Sequence, residues 1–149
     1  MAALGDLSRH LGPLRSAHLY RTRPLSDVPQ PEFLNTVIEV VTERSARDLL
    51  QLAKTLEARA GRRPGPRWGP RPLDVDLLVL GDETIAEPDL RVPHPEIAHR
   101  AFVLRPLADL APTLRLPGDE ETVSDLLSRL PGDPGIRRVA WSAVLVSPR

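Results

Sequence analysis

The chain of 149 residues has no cysteine, which excludes disulfides, thiolate catalysis and structural zinc held by cysteine. No apolar run approaches the roughly 18 to 20 residues of a membrane span. The opening Met1-Ala2-Ala3-Leu4-Gly5-Asp6 lacks the basic start and apolar core of a secretory signal, so the expected location is the cytoplasm. Net charge is missing too, because 20 Lys and Arg balance 20 Asp and Glu. Whole-molecule attraction to nucleic acid or an anionic membrane is thereby excluded, and any affinity for phosphate has to come from a local patch. Lysine is nearly absent, Lys54 being the single one among the 20 basic residues. A hydrophobic content of 41% suffices for one core, and residues 1–149 are expected to form one domain.

A local absence is more telling. Ala58 to Leu73 holds no acidic residue, yet it carries Arg59, Arg62, Arg63, Arg67 and Arg71. Gly61, Pro64, Gly65, Pro66, Gly69 and Pro70 keep this stretch from regular structure. It reads as a cationic loop whose guanidinium forks suit phosphate oxygens. The loop runs straight into Asp74-Val75-Asp76, which opens the apolar run Leu77 to Leu80 before the turn residue Gly81. Leu73 to Leu80 is expected to be a buried strand. In a strand, two carboxylates two residues apart point to one side, with Cα atoms roughly 6 to 7 Å apart. Such a pair can hold hard cations that take their other ligands from phosphate and water. An isolated Asp-x-Asp is more often just a solvated strand start. Arginines placed beside it make the arrangement that phosphoryl transfer needs, because that chemistry is mostly positioning and charge neutralisation.

Elsewhere helices and strands mix. Ala2 to Leu11 reads as a short helical piece and Ser16 to Thr22 as a strand, with Ala17, Leu19 and Arg21 opposite His18 and Tyr20. The β-branched stretch Leu34 to Thr42 reads as a strand. Ser45 is the expected N-cap of a helix from Ala46 to Ala60, stopped by Gly61 and buried through Leu49, Leu52, Ala53, Leu56 and Ala60. Short extended pieces are expected near Thr84 to Ile85 and Leu90 to Val92. Helices are expected around Arg105 to Leu110 and, capped by Thr122, from Val123 to Leu130, with a last strand near Val139 to Val146. Sheet with helices is the class this pattern suits.

Two further clusters suit a ligand. Tyr20-Arg21-Thr22-Arg23-Pro24-Leu25 is followed by Gln30-Pro31-Glu32-Phe33-Leu34-Asn35. An Asn offers paired donor and acceptor atoms to a flat heterocycle, and a Phe can stack on its face, although core packing and a turn explain the same residues equally well. Val92-Pro93-His94-Pro95 precedes Arg100-Ala101-Phe102, and its two prolines fix the backbone around His94. Alone, that histidine is a weak signal.

Together these motifs resemble the 6-hydroxymethyl-7,8-dihydropterin pyrophosphokinase family of folate biosynthesis. Arg67-Trp68-Gly69-Pro70-Arg71-Pro72-Leu73-Asp74-Val75-Asp76-Leu77 is similar to the family signature. Tyr20 to Thr22, Gln30 to Asn35 and Pro93 to Phe102 follow the family order, and the resemblance covers roughly Leu14 to Pro112. It implies transfer of pyrophosphate from ATP to the hydroxymethyl group of the pterin, with release of AMP. Asp74 and Asp76 would bind two Mg2+ ions together with ATP, while Arg62 and Arg71 would neutralise developing charge. Thr22, Leu25, Phe33, Asn35 and Phe102 would line the pterin pocket. Glu57, Arg67, Trp68, Leu77, His94 and Arg100 would contact ATP. The implied fold is α+β, a ferredoxin-like antiparallel sheet backed by helices, in a monomer whose partners are ATP and the pterin rather than nucleic acid or membrane.

Departures accompany the resemblance. Arg23 stands where the family commonly has proline, Pro64 where a second arginine on the ATP side often sits, and Asp89, Arg91 and Pro95 replace polar groups at the nucleotide rim. Family members open with a strand, a Gly-Ser-Asn turn and a full helix, whereas Met1-Ala2-Ala3-Leu4 looks like the end of that helix. The first strand of the sheet is therefore expected to be missing here, with an assigned start that falls too far downstream. Two alternatives remain at this stage: a truncated, catalytically silent nucleotide-binding copy, and a nucleic-acid module using Arg59 to Arg71 with Trp68 as a stacking platform.

Overall fold

The computed structural model describes residues 2–22, 33–61, 73–132 and 135–139. Among these, α-helices and antiparallel strand pairs make an α+β protein. Helix α1 spans Ala2–Leu11, and α2 spans Ala46–Gly61. Ser45 starts α2, its Oγ accepting from Asp48 N at 3.1 Å, which satisfies a donor that has no partner inside the helix, while its carbonyl accepts the first intrahelical bond from Leu49 N at 3.0 Å. The buried side of α2 carries Ala46, Leu52, Ala53 and Leu56, close to the expected stripe. Leu52 and Leu56 pack with Leu7 of α1 and with Leu73.

Strands β1 (Leu14–Ser16) and β2 (Leu19–Thr22) face β4 (Ile38–Val40) and β3 (Phe33–Asn35) as one interrupted hairpin. Ser16 pairs with Ile38 and Tyr20 with Asn35, so residues 17 to 19 stand opposite only 36 and 37. That extra residue is a β-bulge. It breaks the expected continuous strands at Ala17 and at Thr36, and it buries Leu19 and Tyr20 in succession, which strict alternation forbids. Thr36 Oγ1 lies 3.3 Å and 3.1 Å from the carbonyls of Ala17 and His18, so its hydroxyl caps the bulge.

On its other side β2 pairs antiparallel with β7 (Ile136–Val139). The described part of the C-terminal strand thus starts at Ile136, and the expected continuation to Val146 lies outside the described residues. Strands β5 (Ile85–Glu87) and β6 (Leu90–Val92) form a tight hairpin through Pro88 and Asp89. Proline's fixed φ suits the first central position of that turn.

Helix α3 spans Ala101–Leu110, starting earlier than the expected Arg105, and Pro106 lies inside it. The proline's missing N–H forfeits one intrahelical bond, but its ring is among the most deeply buried side chains. Helix α4 (Val123–Arg129) opens with a capping box between Thr122 and Asp125. Leu104 and Leu107 of α3 meet Val123 of α4, Ile97 and Leu116 in the main core.

Residues 73–80 belong to no strand ladder among the described residues, although they were expected to form a strand. Their apolar side chains nevertheless join three packing groups. Leu73 packs with α1 and α2, Leu78 and Val79 with the α3–α4 core, and Leu77 and Leu80 with the group formed by Ala46, Leu90 and Val92. The segment runs as a seam through the molecule, which positions the acidic pair.

Candidate functional site

Along the seam, exposure alternates from Leu73 to Leu77: Asp74 and Asp76 are exposed, and Leu73, Val75 and Leu77 are half-buried. This is extended-chain behaviour, and it puts both carboxylates on the solvent side as expected from the spacing. Between them, Val75 N donates to Glu57 Oε2 of α2 at 2.8 Å. Three residues further on, Leu78 O accepts from His94 N, also at 2.8 Å. The segment is therefore held between the two aspartates and just beyond them.

A cleft of about 260 Å³ opens beside the pair. Asp76, Leu77 and His94 line it together with Leu50, Asp89 and Arg91. His94 has a defined orientation, since its Nδ1 accepts from Glu96 N at 3.1 Å. A backbone N–H can only donate, so in the neutral ring the proton resides on Nε2, leaving a donor free for a ligand. Asp89 is not free to swing. Arg47 of α2 grips it with two bonds, Nη1 to Oδ2 at 2.7 Å and Nη2 to Oδ1 at 2.8 Å, and reaches Glu87 Oε1 at 2.6 Å. These bonds hold the Asp89 carboxyl below the usual carboxylate range, chiefly through hydrogen bonding from Arg47.

A second group forms around β2, β3 and α3. Asn35 Nδ2 donates to Thr22 Oγ1 at 3.0 Å across the β2–β3 pair. Phe102 lies in the first turn of α3, with the Arg100 guanidinium carbon 5.6 Å from its ring centroid, within cation–π range. Tyr20 ties the two elements, its hydroxyl donating to Asp109 Oδ2 at 2.7 Å. Burial pushes the Tyr20 hydroxyl pKa up, as do the hydrogen bond and the charge of Asp109, while Arg138 pulls the other way.

Several expected site residues thus meet: Asp76, Leu77 and His94 on one cleft, Thr22 with Asn35, Arg100 with Phe102, and Glu57 at the peptide between the two aspartates. Thr22, Asn35 and Phe102 are not among the residues lining the cleft. Arg62, Arg67, Trp68, Arg71, Leu25 and the side chain of Phe33 lie outside the described residues. Sequence reading missed Arg47 and Asp109. Asp109 carries a signal in retrospect, being an acid in the otherwise apolar tract Pro106 to Leu110, whereas Arg47 carries none beyond its place in the first turn of α2.

Residues 1–112 match the family described as 7,8-dihydro-6-hydroxymethylpterin-pyrophosphokinase. A 2-amino-4-hydroxy-6-hydroxymethyldihydropteridine pyrophosphokinase of Pseudomonas aeruginosa is 45% identical over 121 residues, 81% of this chain and 74% of its own. A protein of the same name from Methylorubrum extorquens is 42% identical over 121 residues, 80% of this chain and 74% of its own. A mitochondrial folate synthesis bifunctional protein of Arabidopsis thaliana is 44% identical over 96 residues, 64% of this chain and 17% of that longer protein.

Proposed function

Because this chain belongs to the 7,8-dihydro-6-hydroxymethylpterin-pyrophosphokinase family, we propose that it transfers the pyrophosphoryl group of ATP to the hydroxymethyl oxygen of 6-hydroxymethyl-7,8-dihydropterin in folate biosynthesis. The hydroxyl oxygen forms a bond to the β-phosphorus, the bond from that phosphorus to the α–β bridging oxygen breaks, AMP leaves, and the hydroxyl proton passes to water. Support comes from the cleft that gathers Asp76, Leu77 and His94 beside the paired carboxylates.

Asp74 and Asp76 are hard oxygen donors exposed on one side of an extended segment, which fits magnesium. Among the described residues no group of three or more His, Cys, Asp or Glu could hold a metal, so the remaining ligands would be phosphate and water, the usual magnesium pattern. Two ions held there with ATP would supply neutralisation of the phosphate oxygens. His94, Leu77, Arg100, Glu57, Arg67 and Trp68 contact the nucleotide, with His94 donating through Nε2. Thr22, Leu25, Asn35, Phe33 and Phe102 hold the pterin, the two aromatic rings sandwiching it. Arg62 and Arg71 stabilise charge that develops in transfer, a role worth roughly 10³ to 10⁵ in rate in related reactions. The protein acts as a monomeric, single-domain enzyme of the cytoplasm. No helix among the described residues is long and apolar enough to cross a membrane.

The test is AMP release from ATP and magnesium with and without the pterin. Pterin-dependent AMP is the expected result. Nucleotide binding without turnover would favour the silent-copy reading, and magnesium-independent, salt-sensitive oligonucleotide binding would favour a nucleic-acid module.

A further inference from the structure

Extended backbone normally takes its conformation from ladder hydrogen bonds to neighbouring strands. Residues 73–80 have no such ladder among the described residues, so the direction of the two aspartates depends on other anchors. Two of these are side chains, Leu73 packed against Leu52 and Leu56, and Leu77 packed with Leu90 and Val92. A third is the His94 N to Leu78 O bond beyond the pair. Between the aspartates the backbone is held by a side chain, Val75 N donating to Glu57 Oε2 at 2.8 Å. A charged acceptor makes this bond stronger than an ordinary amide pair, and the half-buried carboxylate shields it in part from water. It fixes the Val75 peptide plane and, through it, the angle at which Asp74 and Asp76 leave the chain.

We propose that Glu57 is a positioning residue for the Asp74–Asp76 pair, holding the intervening peptide so that both carboxylates face one cation-bearing phosphate. The inference rests on the role proposed for that pair, and it adds a task to Glu57: Oε2 is committed to the backbone, which leaves Oε1 for any contact with nucleotide. Partners that orient metal ligands typically cost 10 to 100-fold in metal affinity when removed.

Three variants test this, Glu57→Ala, Glu57→Leu and Glu57→Gln, the last keeping an amide oxygen that can still accept from Val75 N. The first readout is amide hydrogen exchange at Val75 in the metal-free protein. The second is binding of Mn2+ with a non-hydrolysable ATP analogue, followed by electron paramagnetic resonance. Faster Val75 exchange and about 10 to 100-fold weaker Mn2+ binding are expected in the Ala and Leu variants, with both restored by Gln. Unchanged Val75 exchange would overturn the proposal. So would lost protection with unaltered Mn2+ affinity, since the bond would then exist without orienting the pair. Failure of Gln to restore either would assign the effect to charge and overturn the hydrogen-bond account. A rise confined to the KM for ATP, with both readouts unmoved, would make Glu57 a nucleotide contact alone. Neither readout needs turnover, so a wild-type protein that made no pterin-dependent AMP would sink the proposed reaction while still reporting on Glu57.

Discussion

Tyr20 and Asp109 join strand β2 to helix α3 through a 2.7 Å hydrogen bond, and Asp109 Oδ2 also lies 3.3 Å from His18 N as an acceptor. Two residues after Tyr20 on β2 is Thr22, and α3 carries Phe102 in its first turn. The bond thus sets the distance between two walls of the proposed pterin pocket. Tyr20→Phe removes the donor and keeps the ring. It is expected to cost about 1.5 to 3 kcal/mol, the range for a hydrogen bond to a charged group. Urea unfolding would measure this, and a raised KM for the pterin with an unchanged KM for ATP would show that the loss acts on that wall.

Tyr20 also gives stability a dependence on pH at the alkaline end. Burial, with help from Asp109, raises the Tyr20 pKa above its ordinary 10.0, so the folded protein holds this proton more tightly than the unfolded chain does. The stabilisation is complete below about pH 10 and fades as pH rises through the folded value. Unfolding midpoints taken between pH 8 and 11 should fall more steeply in the wild type than in Tyr20→Phe, which has no phenolic proton to lose. Parallel curves would show that Tyr20 carries no such linkage.

Asp74→Ala and Asp76→Ala should separate chemistry from folding. Both side chains are exposed, so each change is expected to alter stability by no more than about 0.5 kcal/mol. Each also removes a proposed metal ligand worth several kcal/mol of charge stabilisation, which predicts at least about a hundredfold drop in AMP release. Circular dichroism of the variants checks the first half and a single-turnover assay the second. Full activity in both would remove the metal assignment.

What the sequence allowed a reader to see follows the range of the forces involved. Helix α2 was legible to within a residue because its limits are local, Ser45 capping one end and Gly61 closing the other. The capping box of α4 is local in the same way. Alternation across Leu73 to Leu77 gave the common side of Asp74 and Asp76, since period two needs only an extended chain. The bulge at 17 to 19 was hidden, because it is a mismatch between two distant segments and neither one encodes it alone. For the same reason the bond from Val75 to Glu57, 18 residues away, and the bond from Tyr20 to Asp109, 89 residues away, are properties of packing.

Arg47 grips Asp89, which lines the cleft. Asp89 is held below its ordinary pKa of 3.8, first by hydrogen bonding from Arg47. A depressed folded value means that the contribution is present above about pH 4 and is lost as pH falls through the folded pKa. Arg47→Ala should return the Asp89 titration, followed by NMR, toward 3.8. It should also raise the KM for ATP, because Asp89 lines the cleft and would lose the fork that fixes it. An Asp89 titration that does not move would mean that the grip exists without electrostatic consequence.

Asn35 offers the cleanest separation of the two substrates. Its Nδ2 donates to Thr22 Oγ1 at 3.0 Å, which occupies one donor and orients the amide so that its carbonyl and second N–H remain for a flat heterocycle. Thr22 accepts in that bond, so its own hydroxyl proton stays available. Asn35→Ala removes the amide and loosens Thr22 together. The expected stability cost is small, about 0.5 to 1.5 kcal/mol, because the bond is neutral and only partly buried. The cost in pterin binding should be larger, since a ligand's polar edge would be left unpaired in the pocket, and such mismatches discriminate strongly. Calorimetry with the pterin and a non-hydrolysable ATP analogue would distinguish the outcomes. Weakened pterin binding with intact nucleotide binding places Asn35 in the pterin pocket, whereas an equal loss of both would make its bond to Thr22 merely a brace for the β2–β3 pair.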